Sequence, residues 1–350
     1  MPTFKADRLT NICEDLFMRV GASAKNTSCV VEHLVRANLL GHDSHGVWLI
    51  PSYLESIRNG DLEPAGKPYI LKEEGVLEIV DGNQTFGQVA AHFATLLAIR
   101  KAQAQKTSMV GIVRHHHIGR LGHFAEMAAD EGVVLLILTG GFGVKGRSVA
   151  PYGGLDRELG ANPLALGFPG DETGSVIVDM ATSAVAIGKV AVARDRGKDL
   201  PPGCIIDKNG EPSVDPNDYF DGGAALPFAA HKGAALGLCI ELLGGALVGA
   251  EDYLAPGDNR EVFGPAGTLI VTISQGAFRS AQKYSASAQK TINRIKQSRP
   301  VPGVERVMVA GEPERVIKEQ RLENGIPIPE KSWAEVCKAA RKWDVELPTE

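Results

Sequence analysis

The sequence predicts an α/β fold in which helices from both ends of the chain pack as one layer around an alternating centre. Three observations predict it. Near both termini apolar residues recur every three to four positions, as in Leu9, Ile12, Leu16 and Val20. In the centre, β-branched runs such as VLEIV (76–80) and MVGIV (109–113) alternate with helical stretches. The 350 residues are 44% hydrophobic and 23% charged, enough to form one large domain or two interlocked ones without disulfide or metal staples.

Taken in order, the first helix ends at Gly21. The second, capped by Asn26 or Thr27, lines Val30, Val31, Leu34 and Val35 on one face and stops at Gly41. The third spans about Pro51 to Gly60 and carries Tyr53, Leu54 and Ile57. A strand at 76–80, a long Ala-rich helix from Gly87 to Gln105 and a strand at 109–113 follow. Next come a helix from Gly119 to Glu131 and a buried strand, VVLLILT (133–139). Glycine- and proline-rich chain runs to Pro169, then a strand SVIVD (175–179) and a helix from about Ala184. Residues 197–227 read as a long loop of the kind that usually serves function. A small-residue helix from Phe228 to Gly249, a strand at 268–273 and helices near 279–297, 313–324 and 331–343 complete the chain.

Composition excludes several classes. The net charge is −5, from 37 basic and 42 acidic residues with no basic block, which argues against a nucleic-acid partner. The five cysteines show no CxxC spacing, pointing to reduced thiols rather than a zinc ribbon. The N-terminal MPTFKADRLT has no apolar signal core, and the apolar stretch 233–249 is broken by Glu241 and several glycines. The expectation is a cytoplasmic protein with no membrane partner.

Five motifs carry candidate chemistry. In GFGVKG, Gly141, Gly143 and Gly146 satisfy GxGxxG after a strand, but the following RSVAPYGGLDRELGANP has no helical period. A dinucleotide turn must open a helix, so a strand-exit loop is the favoured reading. In GHDSHG (41–46), Ser44 and His45 are neighbours and point apart, unsuited to a nucleophile–base pair; a histidine held by serine or carboxylate still serves as acid or base. Alternatively, Asp43 and Ser44 cap the next helix. In RHHHIGRLGH (114–123), extended chain puts His115 and His117 on one face and His116 on the other. With His123 they suit a metal, and a metal-dependent hydrolase is the alternative activity; proton transfer and polar packing are the other readings. In VDMATS (178–183), Asp179 either caps a helix or orients a histidine or ribose hydroxyl. In HKG (231–233), Lys232 and a free amide suit a phosphate, unless the lysine is simply exposed.

Together GHDSHG, HHIG (116–119), ANP (161–163), VDMATS, HKG and GEPER (311–315) resemble the malate/L-lactate dehydrogenase-like family, which includes sulfolactate, ureidoglycolate and diketogulonate enzymes. The likeness runs from about Asp7 to the C-terminal helix, and FGQVAAH (86–92) and PPGCIID (201–207) extend it. It implies an NAD- or NADP-dependent oxidoreductase acting on 2-hydroxyacids or 2-ketoacids, working as a homodimer. It also implies a non-Rossmann three-layer fold with a mixed, largely antiparallel sheet. Residues 76–278 would form the cofactor-binding α/β domain, and 1–75 with 279–350 a helical domain for dimerisation and substrate. By the same resemblance His45 and His117 are the acid/base candidates, with Ser44 and Asp179 as relay partners. Asp179, Met180 and Ala181, Lys232 and Gly233, and Gly311, Glu312 and Pro313 match three cofactor-contacting segments.

Two departures bear on substrate. Many members carry an arginine four residues after the GHDSHG histidine; here Leu49 stands there, preceded by Trp48. The bidentate guanidinium fork is missing at that spot. Either Arg120, Lys145, Arg147 or Arg260 supplies the charge, or Trp48 and Leu49 receive a larger, less polar substrate. The family's GTNP is GANP here (160–163), losing a hydroxyl.

Overall fold

The computed structural model describes residues 2–171, 174–254 and 263–348. Helices α1 (Ala6–Arg19), α2 (Ala24–Leu39) and α3 (Ile50–Asn59) open the chain, after a short strand β1 (Thr3–Phe4). Strands β2 (Tyr69–Glu74) and β3 (Leu77–Asp81), helix α4 (Gly87–Gln105), strand β4 (Thr107–Val113), helix α5 (Gly122–Asp130) and strand β5 (Val133–Gly140) follow. Then come β6 (Leu164–Asp171), β7 (Gly174–Met180), α6 (Ile187–Asp195), β8 (Ile205–Ile206), β9 (Pro212–Ser213), α7 (Pro216–Phe220) and β10 (Ala224–Ala225). The last elements are α8 (His231–Ile240), β11 (Gly267–Ser274), α9 (Ala281–Lys296), α10 (Glu312–Asn324), β12 (Ile326–Pro327) and α11 (Glu330–Arg341).

The main sheet has seven strands in the order β2-β3-β4-β11-β5-β6-β7. Only β3 and β4 run parallel; the other neighbours are antiparallel. The late strand β11 fills the centre, between β4 and β5. Alternation along β4 divides the layers: Val110 and Ile112 pack with the alanines of α4, whereas Gly111 faces Val248. Ala90, Ala91, Ala94, Ala98 and Ala102 are buried, so small side chains let α4 lie close on the sheet.

On the other face, α8 continues as a π-helical turn, Glu241–Leu247. Its Gly244 and Gly245 touch the backbone of Gly140 and Gly141, where any side chain would collide. The run His231–Tyr253 is long and apolar enough to cross a membrane by length and composition alone. Glu241 and these glycines, which interrupt the apolar stretch in the sequence, are the residues that seat it on the sheet: Glu241 accepts hydrogen bonds from the Gly141 and Gly160 amides at 2.6 and 3.3 Å.

The two chain ends share a core. Leu9, Leu16, Phe17, Val31, Leu34, Tyr53 and Leu54 pack with Ile326, Trp333 and Val336, and β1 pairs antiparallel with β12. The N-cap of α2 is Ser23, not Asn26 or Thr27; its side chain accepts from the Asn26 amide, and Asn26 is buried against Pro64 and Gly66 carbonyls. Residues 197–227 are not a plain loop. They fold as α7 and a three-stranded sheet, β10-β8-β9, whose two-residue strands are too short to show alternation. β6 was also hidden, because LALGFPGD mixes glycine and proline into its strand.

Candidate active site

The site forms where the α2–α3 turn meets the segment after β4. Gly41, at φ +85°, ends α2, and residues 43–45 make a single 3₁₀ turn. Asp43 and Ser44 do not cap α3, which begins at Ile50 without a side-chain cap. Asp43 instead accepts from Asn38 at 2.8 Å and forms an ion pair with Arg321 of α10 at 2.6 Å. Asn38 also accepts from the Val47 amide, so the turn is held on both sides. Ser44 and His45 do not point apart in this 3₁₀ turn: Ser44 Oγ lies 3.1 Å from His45 Nδ1, fixing the ring it precedes.

The histidine segment does not stay extended. β4 ends at Val113, and Arg114 adopts φ +53°, which breaks the strand alternation. His115 and His117 therefore do not share a face. His115 turns inward to Thr268 Oγ1 at 3.1 Å, while His116 meets Ser56 Oγ at 3.0 Å and His117 meets Tyr53 Oη at 2.8 Å. His123 lies elsewhere again, its ring 4.7 Å from that of His33. The three histidines of the metal reading go to three separate places, and among the described residues no group of three or more His, Cys, Asp or Glu converges.

What does converge is His45 and His117, their rings stacked with centroids 6.0 Å apart. Phe263 covers the same region, 5.8 Å from His117. Burial pushes the His117 pKa well below its ordinary value, helped by His45, His116 and His115. Burial also lowers His45; the Asp179 carboxylate opposes this, while His42, Arg120 and Lys189 add to it. Both rings are thus biased towards the neutral form.

Asp179 sits near the end of β7, paired with Ala165, and accepts the Gly122 amide at 2.8 Å at the start of α5. The HHIGR turn is locked from α2: His33 Nε2 accepts the Arg120 amide at 2.8 Å, and a methyl added at Gly119 (φ +79°) would collide with His33. Arg120 is itself buried, its guanidinium on Glu126 at 2.5 Å, and Glu126 is shared with Arg36 at 2.7 Å.

Two of the three sequence-predicted cofactor segments adjoin. Ile177 of β7 donates to the Ala310 carbonyl, setting Gly311 (φ +92°) and the start of α10 beside the strand that carries Asp179 and Met180, and Gly311 and Asp179 line one cleft. Glu312 is engaged locally, by Lys296 and the Val309 amide, while Pro313 is exposed. Between these elements lies a cleft of about 190 Å³, whose lining includes Arg36, His42, Arg120, Asp179, Arg315 and Lys318. The third segment is tied to the same strand exit: the Phe228 amide donates to Thr182 O, and Gly233 packs against the Phe228 backbone where a Cβ would collide. Lys232 is exposed.

A model of the malate/L-lactate dehydrogenase family matches residues 4–337. The chain belongs to that family. It is 36% identical over 349 residues to hydroxycarboxylate dehydrogenase B of Escherichia coli O157:H7, covering 99% of this chain and 95% of that one. It is 31% identical over 338 residues to the L-sulfolactate dehydrogenase of Methanothermobacter thermautotrophicus, with 96% of each covered. Among solved structures, malate dehydrogenase from Entamoeba histolytica aligns with a TM-score of 0.90 at 25% identity, covering 99% of both chains. Sulfolactate dehydrogenase from Methanocaldococcus jannaschii gives 0.87 at 28%, covering 99% of this chain and 98% of that one. The protein is accordingly an oxidoreductase of the hydroxyacid dehydrogenase type.

In this dehydrogenase Leu49 packs against the terminal helical core, and Trp48 lies at the surface beside Gly188 of α6. Arg147 is paired with Glu158 at 2.9 Å, and Arg260 lies outside the described residues. Three neighbours of the site escaped the sequence reading of its chemistry. Tyr53 reads only as an apolar helix-face residue. Phe263 has no motif. Lys189 acts on His45 from α6, whose Gly188 stands so close that an added methyl would be 3.2 Å from Ser44 Cβ. A lysine in the first turn of a helix that follows VDMATS was the one available signal.

Proposed function

We propose that the protein transfers hydride between a nicotinamide cofactor, NAD or NADP, and a 2-hydroxyacid or 2-ketoacid. The observation that carries this reading is the stacked pair His45 and His117 beside Asp179, set against a cleft with both cations and carboxylates. The cleft fits one end of a dinucleotide: Arg315 and Lys318 suit phosphate, and Asp179 and Glu314 suit ribose hydroxyls. Gly311, at φ +92°, lets the start of α10 lie close against Ser175 and Ile177 of β7 at the edge of this cleft. Met180 and Ala181 stand at the strand exit, and Lys232 is the further phosphate-holding group; the Gly233 amide, free in the sequence reading, already donates to the Phe228 carbonyl. When bound, the nicotinamide supplies the hydride.

The chain's own work is then positioning and one proton. In the oxidising direction a neutral imidazole accepts the hydroxyl proton; in the reducing direction an imidazolium donates to the oxygen. The reading assigns His117 to the substrate oxygen, with His45 completing the proton path through Ser44, and Asp179 acting on His45 by its charge. Arg120, shared with Glu126, and exposed Lys189 are the cations nearest to hand for the substrate carboxylate. Mixing the protein with NADH or NADPH and a panel of pyruvate, phenylpyruvate, oxaloacetate, hydroxypyruvate and sulfopyruvate will give loss of absorbance at the nicotinamide band with at least one pair. Activity that instead depends on zinc or manganese, and is lost in chelator, would overturn the reading.

The reading extends to assembly. The helical face carrying Leu238, Leu242 and Leu247 is 53%, 55% and 69% exposed, an apolar strip suited to a second copy in a homodimer. The division into a 76–278 cofactor domain and a terminal helical domain, and a cytoplasmic location, belong to the same proposal. Free cysteines throughout agree with a reducing compartment. The double variant Leu242→Glu, Leu247→Glu will elute as a monomer in size-exclusion chromatography with light scattering; an unchanged dimer mass would place the interface elsewhere.

A further inference from the structure

We infer that Tyr53 and Gln88 are positioning residues that set which nitrogen of His117 carries its proton, and so tune its basicity. The inference rests on the reading of His117 as the proton-exchanging group. It is carried by a buried chain of three side chains. Gln88 Nε2 donates to Tyr53 Oη at 2.6 Å, and Tyr53 Oη stands 2.8 Å from His117 Nδ1. Tyr53 is 1% exposed and Gln88 0%, so water does not substitute for either partner.

The donors and acceptors on this chain are few enough to count. With Gln88 donating to its oxygen, Tyr53 directs its own O–H to Nδ1, and neutral His117 keeps its proton on Nε2, a resting tautomer that has no lone pair there to take a proton from substrate. When Nδ1 carries a proton, as in the imidazolium and in the neutral tautomer whose Nε2 is open to accept one, it must donate to Tyr53, whose O–H then needs an acceptor. Gln88 Oε1, buried and without a hydrogen-bond partner, meets that need if the amide turns over. A glutamine is the side chain that offers a donor to one state and an acceptor to the other. The position of the amide therefore couples to the protonation state of a ring two residues away along the chain of bonds.

Among the described residues the charges that face His117 are sparse. His45 acts from the 43–45 turn and His115 and His116 from its own segment, while Tyr53 of α3 and Phe263 are neutral. Among the described residues no carboxylate is one of the groups acting on His117, and the hydroxyl at Nδ1 is the local support for the imidazolium that they provide.

Two variants test this in opposite directions. Tyr53→Phe keeps the ring's edge contact with Phe86 and removes only the oxygen. Its kcat for ketoacid reduction will fall about tenfold, and the pH limb for the protonated form will move to lower pH, because the imidazolium loses its acceptor. Gln88→Glu offers only an acceptor when ionised, and will move the same limb to higher pH. In both, the Kd for reduced cofactor, read by nicotinamide fluorescence, will stay within about twofold. Should either variant not fold, the other decides. If the limb stays in place in the folded variants while His117→Ala abolishes turnover, this inference fails and the proposed function stands. Wild-type turnover in His117→Ala would sink the reading of His117 itself.

Discussion

Replacing His117 or His45 by alanine will each lower kcat by about two orders of magnitude or more while leaving the affinity for reduced cofactor in place. A hundredfold loss is roughly 3 kcal/mol of transition-state stabilisation. This is what a positioned imidazole contributes when no other group can exchange the proton. The geometry leaves few substitutes: within the site Asp179 is engaged by the α5 amide and Glu126 by two arginines. Because burial lowers both histidines, they are neutral at neutral pH and ready to accept a proton. Ketoacid reduction should therefore quicken as pH falls towards the lowered values, and hydroxyacid oxidation should level off above them. The two rings are separable by asparagine variants, which keep a hydrogen bond but cannot carry the proton. Asparagine will partly restore the ring that orients and leave the ring that transfers inactive. Wild-type turnover in both alanine variants would remove proton transfer by this pair.

Much of this site is legible because chemistry restricts residue type. GHDSHG, HHIG and VDMATS stand out in sequence for that reason, and the structure brings His45, His117 and Asp179 into one region. α1 is equally visible, since burial of one face imposes its period, while α4 shows as an Ala-rich stretch and β5 as an unbroken apolar run. The largely antiparallel order of the sheet was implied by family resemblance alone, because nothing local in TLIVTI tells a strand that it will lie between β4 and β5. The histidine segment misleads for a local reason: one residue, Arg114, leaves the extended region and the alternation of His115, His116 and His117 is lost. Tyr53 is invisible for a different reason. It fits the apolar face of α3 so well that its hydroxyl, the part that meets His117, leaves no trace in the pattern.

Lowering the pH from 7.5 to 5 will cost this protein several kcal/mol of stability, through histidines held neutral by burial. His33, His117 and His123 all have pKa values depressed by burial, His123 to about 3. In the unfolded chain each titrates near 6.5, so below that pH the unfolded state binds more protons and is favoured. The contribution is fully present above about pH 6.5 and is lost progressively as the pH falls towards the folded values. At pH 5 His123 accounts for about 2 kcal/mol, and His33 and His117 add in the same direction, on a total stability of only about 5–15 kcal/mol typical of globular proteins. His33 and His123 explain why the charge has nowhere to go. Their rings pack tilted against each other, and tilted or edge-on against Phe124, and the Nδ1 atom of each lacks a hydrogen-bond partner. His123→Phe keeps a ring at the stack and removes one proton-binding group. Urea unfolding of that variant will match wild type near pH 7.5 to within about 1 kcal/mol, and will exceed it by about 2 kcal/mol at pH 5. A wild-type pH dependence in the variant would mean that His123 takes up its proton in the folded state, and that the buried stack is open to water.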